Sequence, residues 1–213
     1  MPSKGLGASG NKCKDTELRG GQNTCCGDKN GKLADLRNNA LCCTGDPNSR
    51  AGPLYQNEIE NRADVLTFTS EAFNTPLHIA VPLNAQLSVS LDRPDTDLIV
   101  RLADVAPDGR SLMIQEGALR PRYRKGFESP ELMQEGEVYS VNIPIHDIAD
   151  TLPAGHKLRL HIAGSSFPRL ARNINSGGDR NTETEPYTAE ITIHSGPNNP
   201  SAISFYTLPA AID

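Results

Sequence analysis

The sequence predicts an all-β protein, a jelly-roll β-sandwich that follows a disordered or irregular N-terminal leader. The 213 residues include 16 prolines and 18 glycines, which leaves little room for long helices. No long amphipathic helical pattern occurs, and from about residue 51 apolar residues recur at every second position. About ten strand-length segments follow between Pro, Gly, Asn and Asp clusters, and eight or more strands at that spacing are typical of a jelly roll.

The leader is assigned to residues 1–40 and the sandwich domain to residues 41–213, because the two parts differ in composition. Residues 1–50 carry 8 basic and 5 acidic side chains, whereas residues 51–213 carry 13 and 21. The leader has few large apolar residues, so we expect it not to fold alone. The cysteines of the leader allow three interpretations: a zinc site, a small disulfide framework or a disordered segment. The odd count and the lack of C-x-x-C spacing favour the disordered segment. They are Cys13, Cys25, Cys26, Cys42 and Cys43.

The strands are predicted from β-branched and alternating apolar residues. Leu87, Val89 and Leu91 alternate with serines, as on a sheet with one dry face. Pro107 and Gly109 suit the turn of a β-hairpin whose first strand begins at residue 98. Pro82 is expected to end a strand. The other predicted strands cover residues 65–69, 77–81, 112–114, 118–124, 138–145, 156–163, 189–194 and 202–206.

Charge and hydropathy exclude several partners. The net charge of −5 does not favour nucleic acid or anionic lipid, and no apolar stretch approaches the length of a transmembrane helix. The chain as written has no secretory signal, so a cytoplasmic location is favoured. Neither a phosphate-binding loop nor a dinucleotide fingerprint occurs, and no cofactor is predicted.

The sequence carries no recognisable catalytic motif. A serine hydrolase would require an exposed serine, usually in G-x-S-x-G, and that pentapeptide is missing. Ser165 and Ser166 end a predicted strand, which favours turn serines over nucleophiles. The five histidines are scattered without metal-ligand spacing, and His156 is interpreted as a structural turn residue. We therefore predict neither catalytic residues nor a metal site.

Two polar groups of residues remain. Asp95 and Asp97, with Asp104 and Asp108 downstream, could supply oxygen ligands to a calcium-type cation, but their spacing matches no EF-hand loop and loop capping is favoured. The second group would lie on one face of a predicted strand, where it could bind an anionic ligand or pair with the aspartates. The surplus of acids favours pairing. Its members are Arg120, Arg122 and Arg124.

Several sequence blocks occur in a fixed order over about residues 51–213. They are NRADVL (61–66), DTD (95–97), RLADVAPDGRS (101–111), GALR (117–120), GHKLRL (155–160), SSFPR (165–169), NIN (173–175) and PSA (200–202). In this order they resemble the C-terminal domain of the X-Pro dipeptidyl-peptidase and cocaine-esterase (CocE/NonD) family of serine hydrolases. The motif residues so identified are Asp95, Asp97, Asp104, Asp108, Arg110, Arg120, Arg122, Arg124, His156, Arg159, Ser165, Ser166, Arg169, Asn173 and Asn175.

The resemblance implies a non-catalytic module. In that family the domain is a galactose-binding-like jelly roll that packs on an α/β-hydrolase domain and helps to shape its substrate pocket. The catalytic Ser, Asp and His of the family belong to the α/β domain, so no catalytic residue is carried over to this chain. The family hydrolyses X-Pro peptides, esters or acyl amides. We expect this chain alone to be inert, and to dock on a hydrolase domain or associate with itself through exposed apolar surface.

Two other functions remain open. A carbohydrate- or surface-binding jelly roll is one, although the lack of Trp and the presence of only five Tyr provide few flat platforms for sugars. A small hydrolase that uses Ser165 or Ser166 is the other. Labelling with a fluorophosphonate separates the hydrolase from the inert module, and a glycan array addresses sugar binding.

Overall fold

The computed structural model describes residues 22–26, 53–167, 170–179 and 181–207. Within these ranges there is no α-helix, only two 3-10 helices, Ile59–Asn61 and Pro121–Tyr123. No helix in this part of the chain is long and apolar enough to span a membrane. The strands are β1 (Gln22–Cys26), β2 (Val65–Thr69), β3 (Leu77–Leu91), β4 (Leu98–Val105), β5 (Ser111–Leu119), β6 (Tyr139–Leu152), β7 (Lys157–Ala163), β8 (Glu190–His194) and β9 (Ala202–Thr207). The predicted all-β class is confirmed, while the jelly-roll connectivity stays a prediction.

The strands are antiparallel and form two halves, and one pair of residues connects the halves by strand pairing. One half contains β1, β8, β3 and β6, with β9 also paired to β3, and the other contains β5, β4, β7 and β2. Gly117 of β5 pairs with Ile145 of β6 and connects the two halves. A Cβ atom on Gly117 would lie 2.5 Å from the Pro144 carbonyl oxygen, so only glycine permits this approach.

The core lies between the two halves. Alternate residues of β3, β6 and β8 bury their side chains against those of β2, β4 and β7 in one continuous cluster. Leu87 and Ile143 represent the first half, and Leu102 and Leu160 the second, and all four are at most 1% exposed. Period-two alternation in the sequence therefore becomes one dry face on each half.

Two predicted elements were wrong. Residues 77–91 form one strand rather than two, because Pro82 lies where the register of β3 shifts, between Val81 and Leu83. A proline at an irregular position costs no ladder hydrogen bond. The predicted strand 118–124 is wrong beyond residue 119, since β5 ends at Leu119 and a 3-10 helix begins at Pro121. Strand β1 falls within the segment that was predicted to be a leader, and its backbone pairs with β8.

Candidate functional site

After β2, the two longest connections between strands lie at the same end of the sandwich. The other end has compact turns, including residues 106–110 and 153–156. The loop end, as we call it, consists of residues 92–97, 120–138 and 164–189, and the last two connections are 19 and 26 residues long. Connections longer than about 12–15 residues are uncommon in compact domains, and they are usually either functional or linker segments. The buried polar contacts described below hold these connections in place and favour the first case. The loop end is therefore the candidate functional site.

Asp95 joins all three segments of the loop end. Its carboxylate is completely buried and accepts hydrogen bonds from Arg122 Nε at 2.8 Å and from the Arg122 backbone amide at 3.3 Å. Asn173 Nδ2 donates a further hydrogen bond at 2.8 Å. Because these partners come from the 120–138 and 164–189 connections, one side chain fixes the spacing of the three segments.

Asp97 forms a second ion pair beside the first. Arg120 donates from Nε and Nη2 to the two carboxylate oxygens of Asp97, at 2.8 and 3.2 Å. Burial raises the pKa of Asp97, and the hydrogen bond and charge of Arg120 oppose that rise. The same hydrogen bond raises the pKa of Arg120, so its guanidinium is charged at all ordinary pH values. This two-pronged geometry orients the beginning of the 120–138 segment.

Asn173 and Asn175 form a turn around the buried aspartates. Asn175 has a φ of 62°, the left-handed region, which asparagine tolerates better than most residues. Asn173 Oδ1 accepts the Asn175 backbone amide at 3.0 Å, and Asn175 Nδ2 donates to the Tyr187 carbonyl at 2.8 Å. The NIN block therefore serves a geometric purpose, because it closes the long connection onto itself next to Asp95.

The three arginines do not share a strand face, contrary to the prediction. Pro121 lacks the amide that a strand would need and starts the 3-10 helix, which turns the arginines apart. Arg120 and Arg122 reach the buried aspartates. Arg124 instead donates to the Glu131 carbonyl oxygen at 2.6 Å and lies 3.2 Å from its carboxylate.

The predicted set of four aspartates is not brought together. Asp104 and Asp108 lie toward the opposite end of the sandwich, and Asp104 contacts His156 Nδ1 at 2.7 Å. Asp108 pairs with Arg110 at 2.7 Å in the exposed β4–β5 turn. The two aspartates of the loop end are already neutralised by arginines. The calcium-type interpretation is therefore wrong for this set, and no group of three or more His, Cys, Asp or Glu in the described residues could hold a metal ion.

Ser165 and Ser166 are buried at the start of the longest connection. Ser166 Oγ accepts a hydrogen bond from Arg101 Nη2 at 3.1 Å and lies 3.3 Å from a carboxylate oxygen of Glu116. Ser165 Oγ accepts the backbone amide two residues later. Each serine is 3% exposed, and neither hydroxyl has a histidine partner among the described residues. These contacts support turn serines rather than nucleophiles.

The buried ion pair between Arg101 and Glu116 was not predicted from the sequence. The two side chains are 2% and 1% exposed, and the residues face each other in the β4–β5 register. Arg101 Nη1 also contacts Gln56 Oε1 at 3.5 Å. Each charge is isolated within an apolar strand, so the available signal was the opposite sign at facing positions of a predicted hairpin.

Arg159 belongs to another polar cluster, whose other members, Glu60 and His161, were not predicted from the sequence. Arg159 Nη1 donates to Glu60 at 2.5 Å, and His161 Nε2 contacts the other Glu60 oxygen at 2.9 Å. Burial lowers the pKa of His161, although Glu60 opposes that shift. Burial alone would raise the pKa of Glu60, but the contacts with His161 and Arg159 lower it. Neutral His161 and ionised Glu60 hold residues 59–61 on the outer face of β7.

Some predicted residues lie outside the part of the chain that the structure describes. They are Arg169 and the cysteines at 13, 42 and 43. Only the backbone of Cys25 and Cys26 is described, in β1. The alternatives for the cysteines therefore stay predictions.

Exposed apolar side chains are concentrated at the loop end. In the described ranges, eight large apolar side chains are at least 36% exposed, and five of them lie in the two long connections. Phe127 stands out, because 84% of it is exposed. Clustered exposed apolar surface is typical of an interaction site. The five are Phe127, Leu132, Val138, Phe167 and Tyr187.

Known proteins are similar to this chain in sequence or in fold. The protein-family model of the X-Pro dipeptidyl-peptidase C-terminal non-catalytic domain matches residues 5–204 of this chain. Cocaine esterase from Rhodococcus sp. (strain MB1 Bresler) is 37% identical over 154 residues, which cover 71% of this chain and 27% of the esterase. A putative serine esterase from Mycobacterium bovis is 25% identical over 134 residues, or 55% of this chain and 21% of that protein.

Two solved structures share the fold at 22% identity. An aminopeptidase from the marine sediment archaeon Thaumarchaeota archaeon gives a TM-score of 0.81 over 90% of this chain and 34% of that one. An α-amino acid ester hydrolase gives 0.76 over 91% and 33%. The chain thus spans about a fifth to a third of the length of these relatives. With the family model matched over nearly its whole length, the chain belongs to the X-Pro dipeptidyl-peptidase C-terminal non-catalytic domain family.

Proposed function

We propose that this chain works as the non-catalytic β-sandwich module of a serine hydrolase, where it packs on an α/β-hydrolase domain and shapes the substrate pocket. The observation that carries the proposal is the family match over residues 5–204, in a chain that covers only 27% of its 37%-identical esterase relative. The chemistry would belong to the remaining part of such a protein. X-Pro peptides, esters and acyl amides are the proposed substrate classes.

The serines of the sandwich support an inert module. Ser165 and Ser166 are buried and bonded away from any histidine. Ser90 Oγ does lie 2.9 Å from His194 Nε2, but no acid within the described residues contacts His194 to complete a triad. Both residues lie within the paired strands β3 and β8, rather than on the sharp strand-to-helix turn that usually carries a nucleophilic serine.

A covalent probe tests the absence of chemistry. Purified chain is incubated with a fluorophosphonate and assayed with 4-nitrophenyl acetate, beside the variants Ser90→Ala, Ser165→Ala and Ser166→Ala. We expect no labelling and no turnover above buffer. Labelling that disappears in one of the three variants would show that the chain carries its own nucleophile and would overturn the proposal.

A chimera tests the packing. The region of the Rhodococcus cocaine esterase that this chain matches is replaced by the chain itself, so that the covalent tether provides a high effective concentration of the module. We expect the chimera to fold and to hydrolyse 4-nitrophenyl acetate. The same esterase without any module in that place should be inactive or short-lived. If the chimera is no more active or stable than the truncated esterase, the module does not support a hydrolase domain.

A further inference from the structure

We infer that the loop end is the face that docks on the hydrolase domain, with Phe127 as its principal anchor. This inference rests on the proposed function and specifies the surface through which it acts. Three observations carry it: an exposed aromatic ring in a fixed position, loops held rigid by buried ion pairs, and a relative whose length leaves room for one large partner domain.

Phe127 is exposed without being loosely held. Its ring centroid lies 5.0 Å from that of Tyr123, at a tilt of 40°, so the ring packs against the 3-10 helix rather than extending freely. The Gly126 amide donates to the Tyr123 carbonyl at 2.9 Å, and Gly126 has a φ of 118°, which fixes a turn just before Phe127. Because the ring is already positioned, docking would cost little conformational entropy, which favours aromatic anchors at interfaces.

Buried ion pairs hold the base of this loop. Arg122 is fixed by Asp95, and its carbonyl accepts the Glu131 amide at 2.8 Å. The Met133 amide donates to the Pro94 carbonyl at 2.8 Å, which closes the loop against the 92–97 segment. Phe127, which is 84% exposed, therefore lies in a loop that is held in place by contacts before and after it. Such preorganisation lowers the free-energy cost of binding.

The apolar surface continues from this loop into the next one. Leu132 packs against Gly177, since a Cβ atom on Gly177 would lie 3.3 Å from the Leu132 methyl group. The Tyr187 amide donates to the Ile174 carbonyl at 2.9 Å, which places Tyr187 beside the same turn. Arg93 lies over the Tyr187 ring at 5.1 Å and supplies a polar rim. An apolar centre with a charged rim is the usual arrangement of a protein interface.

The lengths of the relatives favour a large neighbouring domain as the occupant. This chain covers 27% of the cocaine esterase and 34% of the archaeal aminopeptidase, so about two thirds or more of each relative lies outside the matched part. A single neighbouring domain of that size can cover the whole loop end, since a standard interface takes roughly 800 Å² from each partner. We therefore assign this face to the α/β-hydrolase domain of the proposed function rather than to a second copy of the chain.

The test uses Phe127→Ser in both the isolated chain and the esterase chimera, with Tyr206→Ser as the matched control. Tyr206 is 57% exposed on β9, away from the loop end. In the isolated chain we expect neither substitution to change the melting temperature appreciably, because both side chains face solvent. In the chimera, Phe127→Ser should shorten the half-life of esterase activity at elevated temperature by roughly tenfold. Tyr206→Ser should leave that half-life unchanged.

Hydrogen–deuterium exchange provides an independent readout. The amides of residues 124–133 should exchange at least about tenfold more slowly in the chimera than in the isolated chain. An active chimera in which these amides are equally exposed and Phe127→Ser has no effect overturns the inference but not the proposed function. An inactive parent chimera contradicts both. Dimerisation of the isolated chain that Phe127→Ser abolishes would assign the face to a second copy and also overturn the inference.

Discussion

Replacing Asp95 by alanine should loosen all three segments of the loop end at once. The carboxylate is 0% exposed and holds Arg122 and Asn173 by hydrogen bonds of 2.8 Å each. Without it, a guanidinium and an amide lose their buried partner and the 92–97 segment loses its connection to both long loops. No other acid can replace it without movement, because Asp97 is already occupied by Arg120.

The size of the effect follows from burial and charge. Removing one partner of a buried ion pair costs about 3–5 kcal/mol, because the other charge remains in the protein. The Arg122 side chain is 17% exposed, so part of its charge can return to water and the loss is reduced to about 2–4 kcal/mol. For a domain of this size that corresponds to a decrease in melting temperature of about 5–15 °C.

The assay is thermal and urea unfolding of the purified chain at neutral pH. Asp108→Ala is the matched control, since Asp108 also pairs with an arginine at 2.7 Å but is exposed. Asp95→Asn should fall between wild type and Asp95→Ala, because the amide keeps an acceptor oxygen but not the charge. If Asp95→Ala melts within a degree or two of Asp108→Ala, the ion pairs do not hold the loop end and the reasoning is refuted.

Two further predictions concern the rest of the sandwich. Stability should fall as the pH drops from about 7 to 5.5, because burial lowers the pKa of His161 below the value of about 6.5 in the unfolded chain, which then binds the proton more readily. The measurement is the free energy of unfolding by urea as a function of pH, and His161→Gln should reduce its fall over this range. A smaller fall should remain, because burial also lowers the pKa of His194. If His161→Gln leaves the fall unchanged, His161 is not its source. Gly117→Ala should destabilise the chain by about 1–3 kcal/mol, because the new methyl group meets the Pro144 carbonyl. Gly196→Ala, which meets nothing within 4 Å, should be neutral in the same thermal assay, and equal effects of the two alanines would contradict the close approach.

Strand positions could be predicted from the sequence because one period governs them. Alternating apolar residues predicted β2, β7 and β8 within one or two residues of their observed bounds. Pro82 misled the prediction, since a proline ends a strand unless an irregularity in register accommodates it, and periodicity does not reveal such an irregularity. At Pro121 the error was the reverse. The alternating arginines predicted a strand through this proline, but a 3-10 helix begins there instead.

The polar cluster of the loop end could be predicted only in part. Asp95 and Asp104 are nine positions apart, but Asp95 precedes β4 and Asp104 lies near the end of that strand. A strand of eight residues carries the chain about 26 Å, so the two carboxylates lie toward opposite ends. Asp95 and Asn173 are 78 positions apart and yet in contact, because both follow strands that end at the same edge. The resemblance identified these residues individually, whereas their grouping required the order of the strands.

The loop end combines two features that a free-standing domain has little reason to keep. Buried charges lie beneath its loops, and the hydrogen bonds of Asp95 to Arg122 and Asn173 fix the spacing of the three segments. Desolvating such charges offsets much of the attraction that they gain. An aromatic ring that is 84% exposed lies in one of these loops, and its contact with Tyr123 covers only a small part of it. Rigid loops that display an apolar ring are useful when the ring must meet a fixed pocket. Loss of Asp95 should therefore impair docking by more than its effect on folding, and in the esterase chimera Asp95→Asn should shorten the active half-life even at temperatures where the isolated variant remains folded.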